Sequence, residues 1–141
     1  MLLLFYVLFY TWTFIFFLSF FYIRLCSFEF TSKVSRFWTK SIITLIRLLL
    51  GISCKIKGKE NLIHEPAIIV SNHQSAWETF YLFILFKNPI YVLKKELENI
   101  PIMNAFFKKL GFIYVNRDIG STSLRNILIQ IKRNQISSRR T

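Results

Sequence analysis

Leu2 to Ile23 carries no charged side chain, and about half of its residues are aromatic. Wound as a helix, the stretch extends roughly 33 Å, enough to cross a hydrocarbon core. Tyr6, Tyr10, Trp12 and Tyr22 suit headgroup depth, and Thr11, Thr13 and Ser19 can bond back to the helix backbone. A secretory signal would need a basic start and small residues at a cleavage site, and neither is visible. Positive charge follows the segment, at Arg24, Lys33, Arg36 and Lys40. That order predicts a cytoplasmic position for the chain downstream.

The next stretch, Thr39 to Leu50, is amphipathic: Ile42, Leu45, Ile46, Leu49 and Leu50 recur at helical spacing, and Gly51 follows as a helix stop. It is too short between charges to span, so it is expected to lie in the interface beside the first helix, with an ordinary core helix as the alternative. The 141 residues carry a formal net charge of +12. High hydrophobicity with excess Lys and Arg fits a protein facing anionic lipid or a nucleic-acid binder. No basic helix reads as a groove-reading element, so nucleic acid is not expected as a partner. Cys26 and Cys54 match no zinc or redox spacing, and two cysteines make no disulfide framework.

From Ile52 the texture changes to short strands and turns. The reading divides the chain into anchoring helices over residues 1–51, an α/β unit over 52–133 and a basic tail over 134–141. Within the unit, strands are expected at Cys54–Lys57, Ala67–Val70, Ile90–Leu93 and Phe112–Val115. Helices are expected at Ala76–Phe86, Pro101–Leu110 and Ser123–Lys132. Strands alternating with helices indicate the α/β class.

The polar turn Ser71-Asn72-His73-Gln74-Ser75-Ala76-Trp77-Glu78 sits between two apolar runs. His73 is a candidate general base, because its ordinary pKa lies near neutrality. Glu78, five residues on, can hold the imidazole if the turn folds His73 back toward the first helical turn. A Ser-Asn-His run before a helix also serves as an ordinary N-terminal cap. Farther on, Arg117 ends the run Gly111-Phe112-Ile113-Tyr114-Val115-Asn116, and Lys94 follows the preceding strand in the same way. Strands ending side by side would set both cations around one crevice, where Arg117 suits a phosphate or carboxylate.

Taken together, these motifs resemble those of the glycerolipid acyltransferases. Asn72-His73 with a carboxylate at position 78 resembles that family's first block, in which Asn-His is followed after four residues by Asp. Lys94-Lys95-Glu96-Leu97 with Ile100-Pro101 resembles the next stretch, and Gly111, Ile113, Tyr114, Val115 and Arg117 resemble the second block. The apolar two-helix N-terminus is similar to that of the bacterial 1-acyl-sn-glycerol-3-phosphate acyltransferases.

The resemblance implies a membrane helix pair followed by the first half of a glycerolipid-acyltransferase α/β domain. It implies transfer of a fatty acyl group from acyl-coenzyme A or acyl carrier protein to the sn-2 hydroxyl of lysophosphatidic acid, giving phosphatidic acid. His73 would be the base and Glu78 its orienting carboxylate. Arg117 and Lys94 would hold the substrate phosphate, and Asn72 and Gly111 would support the turns. The chemistry needs no metal or cofactor beyond the acyl donor, and the expected place is the cytoplasmic face of a bacterial inner membrane, against anionic lipid. The family's Pro-Glu-Gly-Thr-Arg block and its apolar fourth block do not follow residue 117, so a C-terminally truncated, inactive copy is one expectation. A membrane-anchored protein that binds anionic lipid without catalysis is the other.

Overall fold

The computed structural model describes residues 1–23, 25–63, 65–116, 125, 127–129 and 131–132. Two long helices, α1 (Leu2–Ile23) and α2 (Phe28–Leu50), pack antiparallel. Their contacts run in opposite directions along the two chains. Phe16 stacks on Trp38 with ring centroids 5.2 Å apart, and Phe5 clusters with Ile42 and Ile46. Between them, Trp12 Nε1 donates to Ser41 Oγ at 2.6 Å. Ser27 starts α2 by accepting from the Phe30 N–H, and Glu29 stands in the first turn, where the helix dipole favours an anion. Gly51 ends α2 in the left-handed conformation, φ 68°, with its N–H donating to Arg47 O.

The second helix therefore begins at Phe28, not at Thr39, where apolar periodicity alone would start it. The earlier turns bury Thr31, Ser32, Ser35 and Thr39 in place of aliphatic side chains. Three of these hydroxyls need no outside partner. Thr31 Oγ1 donates to Ser27 O at 2.9 Å, Ser35 Oγ to Thr31 O at 2.6 Å, and Thr39 Oγ1 to Ser35 O at 2.8 Å. Small residues spaced four apart let neighbouring backbones approach closely. α2 packs against α1 and also against a third helix, α3 (Ala76–Leu85).

Apolar packing gathers in two clusters. One centres on Phe16, Phe83, Phe106 and Leu110, the other on Phe5, Ile42 and Ile46, and Trp38 lies against both. Phe16 meets Phe106 edge to face at 6.0 Å, which ties α1 to α4 (Pro101–Lys109). The long helices thus share their core with the segments that follow Gly51.

Strands β1 (Val92–Lys94) and β2 (Ile113–Val115) pair in parallel, with Val92 opposite Ile113 and Lys94 opposite Val115. Parallel neighbours need a crossover, and a 3₁₀ turn (Lys95–Asn99) followed by α4 supplies it. Pro101 stands in the first turn of α4, where its missing N–H costs nothing, and Gly111 takes φ 75° in the turn before β2. This β-α-β unit, with α3 beside it, is the mixed helix and strand content that alternation predicts.

Two expected strands are corrected. Cys54–Lys57 and Ala67–Val70 are not strands, and Ile68 and Val70 are 81 % and 92 % exposed. A strand holds its shape through ladder bonds to a neighbour, and among the described residues neither segment has one. The first helix forms where expected. Among the described residues, however, no helix is long and apolar enough to cross a membrane, so the expected span over Leu2–Ile23 is unsupported. Phe5 and Phe16 are instead buried within the protein, while Leu3, Val7, Tyr10, Phe14 and Leu18 face outward. Of the helix expected at Ser123–Lys132, residues 125, 127–129 and 131–132 are described and are helical, and the others lie outside the described residues.

Ser35 is 1 % exposed, so a larger side chain there would have to push α2 away from its neighbours. Ser35→Leu is expected to destabilise the chain by about 1–3 kcal/mol. Lys33→Leu, on the exposed face, should stay within about 0.5 kcal/mol of wild type. Chemical denaturation followed by far-ultraviolet circular dichroism would check the pair.

Candidate active site

The polar turn is irregular up to Ser75, an extended N-cap with φ −154° and ψ 164°, and α3 begins at Ala76. Ser75 makes no side-chain capping bond. Glu78, the third helical residue, reaches back instead. Its Oε1 accepts from the Gln74 N–H at 2.6 Å and lies 2.5 Å from His73 Nδ1. A carboxylate suits that place, because the first N–H groups of a helix lack partners and the dipole is positive there. The five-residue offset, which a regular helix would not bridge, is closed because residues 71–75 are not helical.

An ionised carboxylate can only accept, so the hydrogen of this contact sits on His73 Nδ1. The neutral ring then carries its lone pair on Nε2. The His73 side chain is 67 % exposed and that of Glu78 22 %, so the imidazole is accessible while the carboxylate is sheltered. Such an arrangement can take a proton from a hydroxyl and stabilise the imidazolium that results.

Two further side chains hold α3. Tyr91 donates its hydroxyl to Thr79 O at 2.8 Å, next to Glu78 in sequence. Its own carbonyl accepts from the Ile113 N–H at 2.9 Å, which leads into the sheet. At the other end of the helix, Arg36 of α2 donates to Ile84 O at 3.3 Å and to Phe86 O at 2.6 Å. Its guanidinium lies 5.4 Å from the centroid of the Phe83 ring. Burial lowers the Arg36 pKa, and Tyr91 partly offsets this. Neither residue stands out in sequence as part of a site. Arg36 reads there as one of several cations after the first helix, and Tyr91 as one more aromatic in an apolar strand.

The other expected site residues are less closely joined. Lys94 is exposed at the end of β1, level with Val115 at the end of β2, so both strands finish together. Among the described residues, no hydrogen bond or ion pair joins Lys94 to His73 or Glu78. Asn72 is exposed in the turn, Gly111 occupies the bend before β2, and Arg117 lies outside the described residues. Among the described residues, no group of three His, Cys, Asp or Glu side chains could hold a metal ion.

The acyltransferase family model matches residues 53–139, more than half of the chain. A 1-acyl-sn-glycerol-3-phosphate acyltransferase of Pseudomonas aeruginosa is 34 % identical over 93 residues, which cover 66 % of this chain and 36 % of that protein. The protein of the same name from Saccharomyces cerevisiae is 34 % identical over 74 residues, 52 % of this chain and 24 % of its own length. The chain thus spans about a third or less of the curated relatives that it matches. No solved structure gives a significant match.

Tyr91 makes this support sensitive to strong base. Burial pushes its phenol from 10.0 up to about 12, against a smaller opposing pull from Arg36. A group whose pKa is raised by folding stabilises the fold while both states are protonated. That contribution is lost as pH climbs from the unfolded value to the folded one. Stability is therefore expected to fall between about pH 10 and pH 12 more steeply in wild type than in Tyr91→Phe. Denaturation midpoints of the two proteins across that range would check it.

Proposed function

We propose that this chain, which belongs to the acyltransferase family, moves a fatty acyl group from a thioester donor to the sn-2 hydroxyl of lysophosphatidic acid, giving phosphatidic acid. The observation that carries this reading is the contact of His73 Nδ1 with Glu78 Oε1 at 2.5 Å, which against an ionised carboxylate puts the hydrogen on Nδ1. The names of the relatives from P. aeruginosa and S. cerevisiae support the substrate class. The donor is acyl-coenzyme A or acyl carrier protein.

In the proposed reaction, His73 Nε2 takes the hydroxyl proton as the oxygen attacks the thioester carbonyl. The carbon–oxygen bond forms, the carbon–sulfur bond of the tetrahedral intermediate breaks, and the imidazolium returns its proton to the leaving thiolate. Glu78 fixes the tautomer and balances the charge that His73 acquires. Lys94, at the end of β1, and Arg117 are the proposed phosphate contacts. Asn72 and Gly111 shape the two turns. No metal has a part in this scheme.

We place the chain at a membrane, on the cytoplasmic face of a bacterial inner membrane. The outward apolar side chains of α1, among them Leu3, Val7, Phe14 and Leu18, support contact with lipid. Exposed Lys55, Lys57 and Lys59, soon after Gly51, would face anionic headgroups. The same surface also supports the second reading, an anchored lipid-binding protein without catalysis.

The test is acyl transfer by the 141-residue chain in detergent, with labelled acyl-coenzyme A and lysophosphatidic acid. His73→Ala is expected to lower the rate by about 10²–10⁴. No transfer by wild type, with retained binding to anionic vesicles, would favour the lipid-binding reading.

A further inference from the structure

We propose that Arg36 and Tyr91 are positioning residues for the His73–Glu78 pair, acting together through the backbone of α3. The inference rests on the reading of that pair as catalytic.

A ten-residue helix is about 15 Å long, and these two side chains grip it near opposite ends. Tyr91 holds Thr79 O, one residue beyond Glu78. Arg36 holds Ile84 O and Phe86 O, carbonyls at the end of α3 where helical donors run out. A cation is favoured there by the dipole as well. The two grips are linked. Phe83 lies beneath the Arg36 guanidinium and stacks on Tyr91 with centroids 6.3 Å apart. A third bond stands beside them: Ser32 Oγ donates to Asn88 Oδ1 at 2.9 Å, in the turn where Asn88 takes φ 50°.

Apolar packing alone would leave α3 freer to turn. Trp38 against Phe80, edge to face at 5.5 Å, holds the separation of the two helices more firmly than their rotation, because dispersion depends on distance and has no preferred direction. Hydrogen bonds to backbone carbonyls weaken steeply with angle. The polar grips therefore set the rotation of the helix, while the rings supply its burial. A helix with its side chains is about 10–12 Å across, so a rotation of about 10° carries a surface carboxylate about 1 Å. An error of that size at a reacting group costs on the order of 10²-fold in rate.

The test uses the full 141-residue chain in detergent with ¹⁵N-labelled histidine. The chain has two histidines, and His73→Gln identifies the His73 signals. In wild type, His73 should show a protonated Nδ1 with a downfield hydrogen, and Glu78→Gln should weaken it. Arg36→Ala and Tyr91→Phe are expected to lose or broaden that signal while keeping the wild-type circular dichroism spectrum. They should lower kcat about 10–100-fold with KM little changed, and Arg36→Lys should recover part of both losses. Folded variants with a wild-type His73 signal would overturn the proposal. If Arg36→Ala does not fold, Tyr91→Phe and Arg36→Lys decide it. A His73 signal that responds as expected in a chain with no acyl transfer would support the grip and refute the catalytic reading.

Discussion

The close approach of α2 to its neighbours is the constraint on which the rest of this structure depends. Thr31, Ser35 and Thr39 are small enough to let another backbone come near, and each returns its hydroxyl to the carbonyl four residues earlier. Burial of a polar group is costly when it lacks a partner, and these groups carry their partners on their own helix. Farther along, Ile42 and Ile46 take over with ordinary apolar packing. The helix is thus polar at one buried end and aliphatic at the other. Trp38, between the two regions, touches both clusters, so the packing runs without a break from α1 to the sheet.

Upon that frame the polar turn is built from few parts. The chain leaves an irregular run, enters α3 and turns one carboxylate back over the entry point. Glu78 thereby meets two groups with one oxygen, the Gln74 backbone N–H and Nδ1 of the His73 imidazole. The chain returning from α3 into β1 brings Tyr91 alongside Thr79, and β1 and β2 finish level at Lys94 and Val115.

Much of this was legible in the residues. The helices at Ala76 and Pro101 announce themselves by a polar turn, a proline in the first turn and a glycine after the last. The strand before Asn116 reads from its β-branched and aromatic residues. His73 and Glu78 stand out because a base and a carboxylate flank a helix start. What stayed hidden has physical causes. The front half of α2 buries hydroxyls, which carry no hydrophobic period. Ala67–Val70 has the composition of a strand, but composition does not provide a ladder partner. Leu2–Ile23 has the composition of a span, yet among its described side chains Phe5 and Phe16 are buried in the protein's own core. Arg36 and Tyr91 matter through backbone carbonyls distant in sequence, which no local pattern encodes.

Glu78 ends with a consequence for how such a site fails. One carboxylate both closes the start of a helix and orients an imidazole, so the order of the turn and the direction of the ring are a single property here. Fraying of the first turn of α3 would disarm His73 without any change in the histidine itself. In the proposed reaction, heat, denaturant or a displaced neighbour that loosened this turn would lower activity. Activity would then report the state of one helical turn.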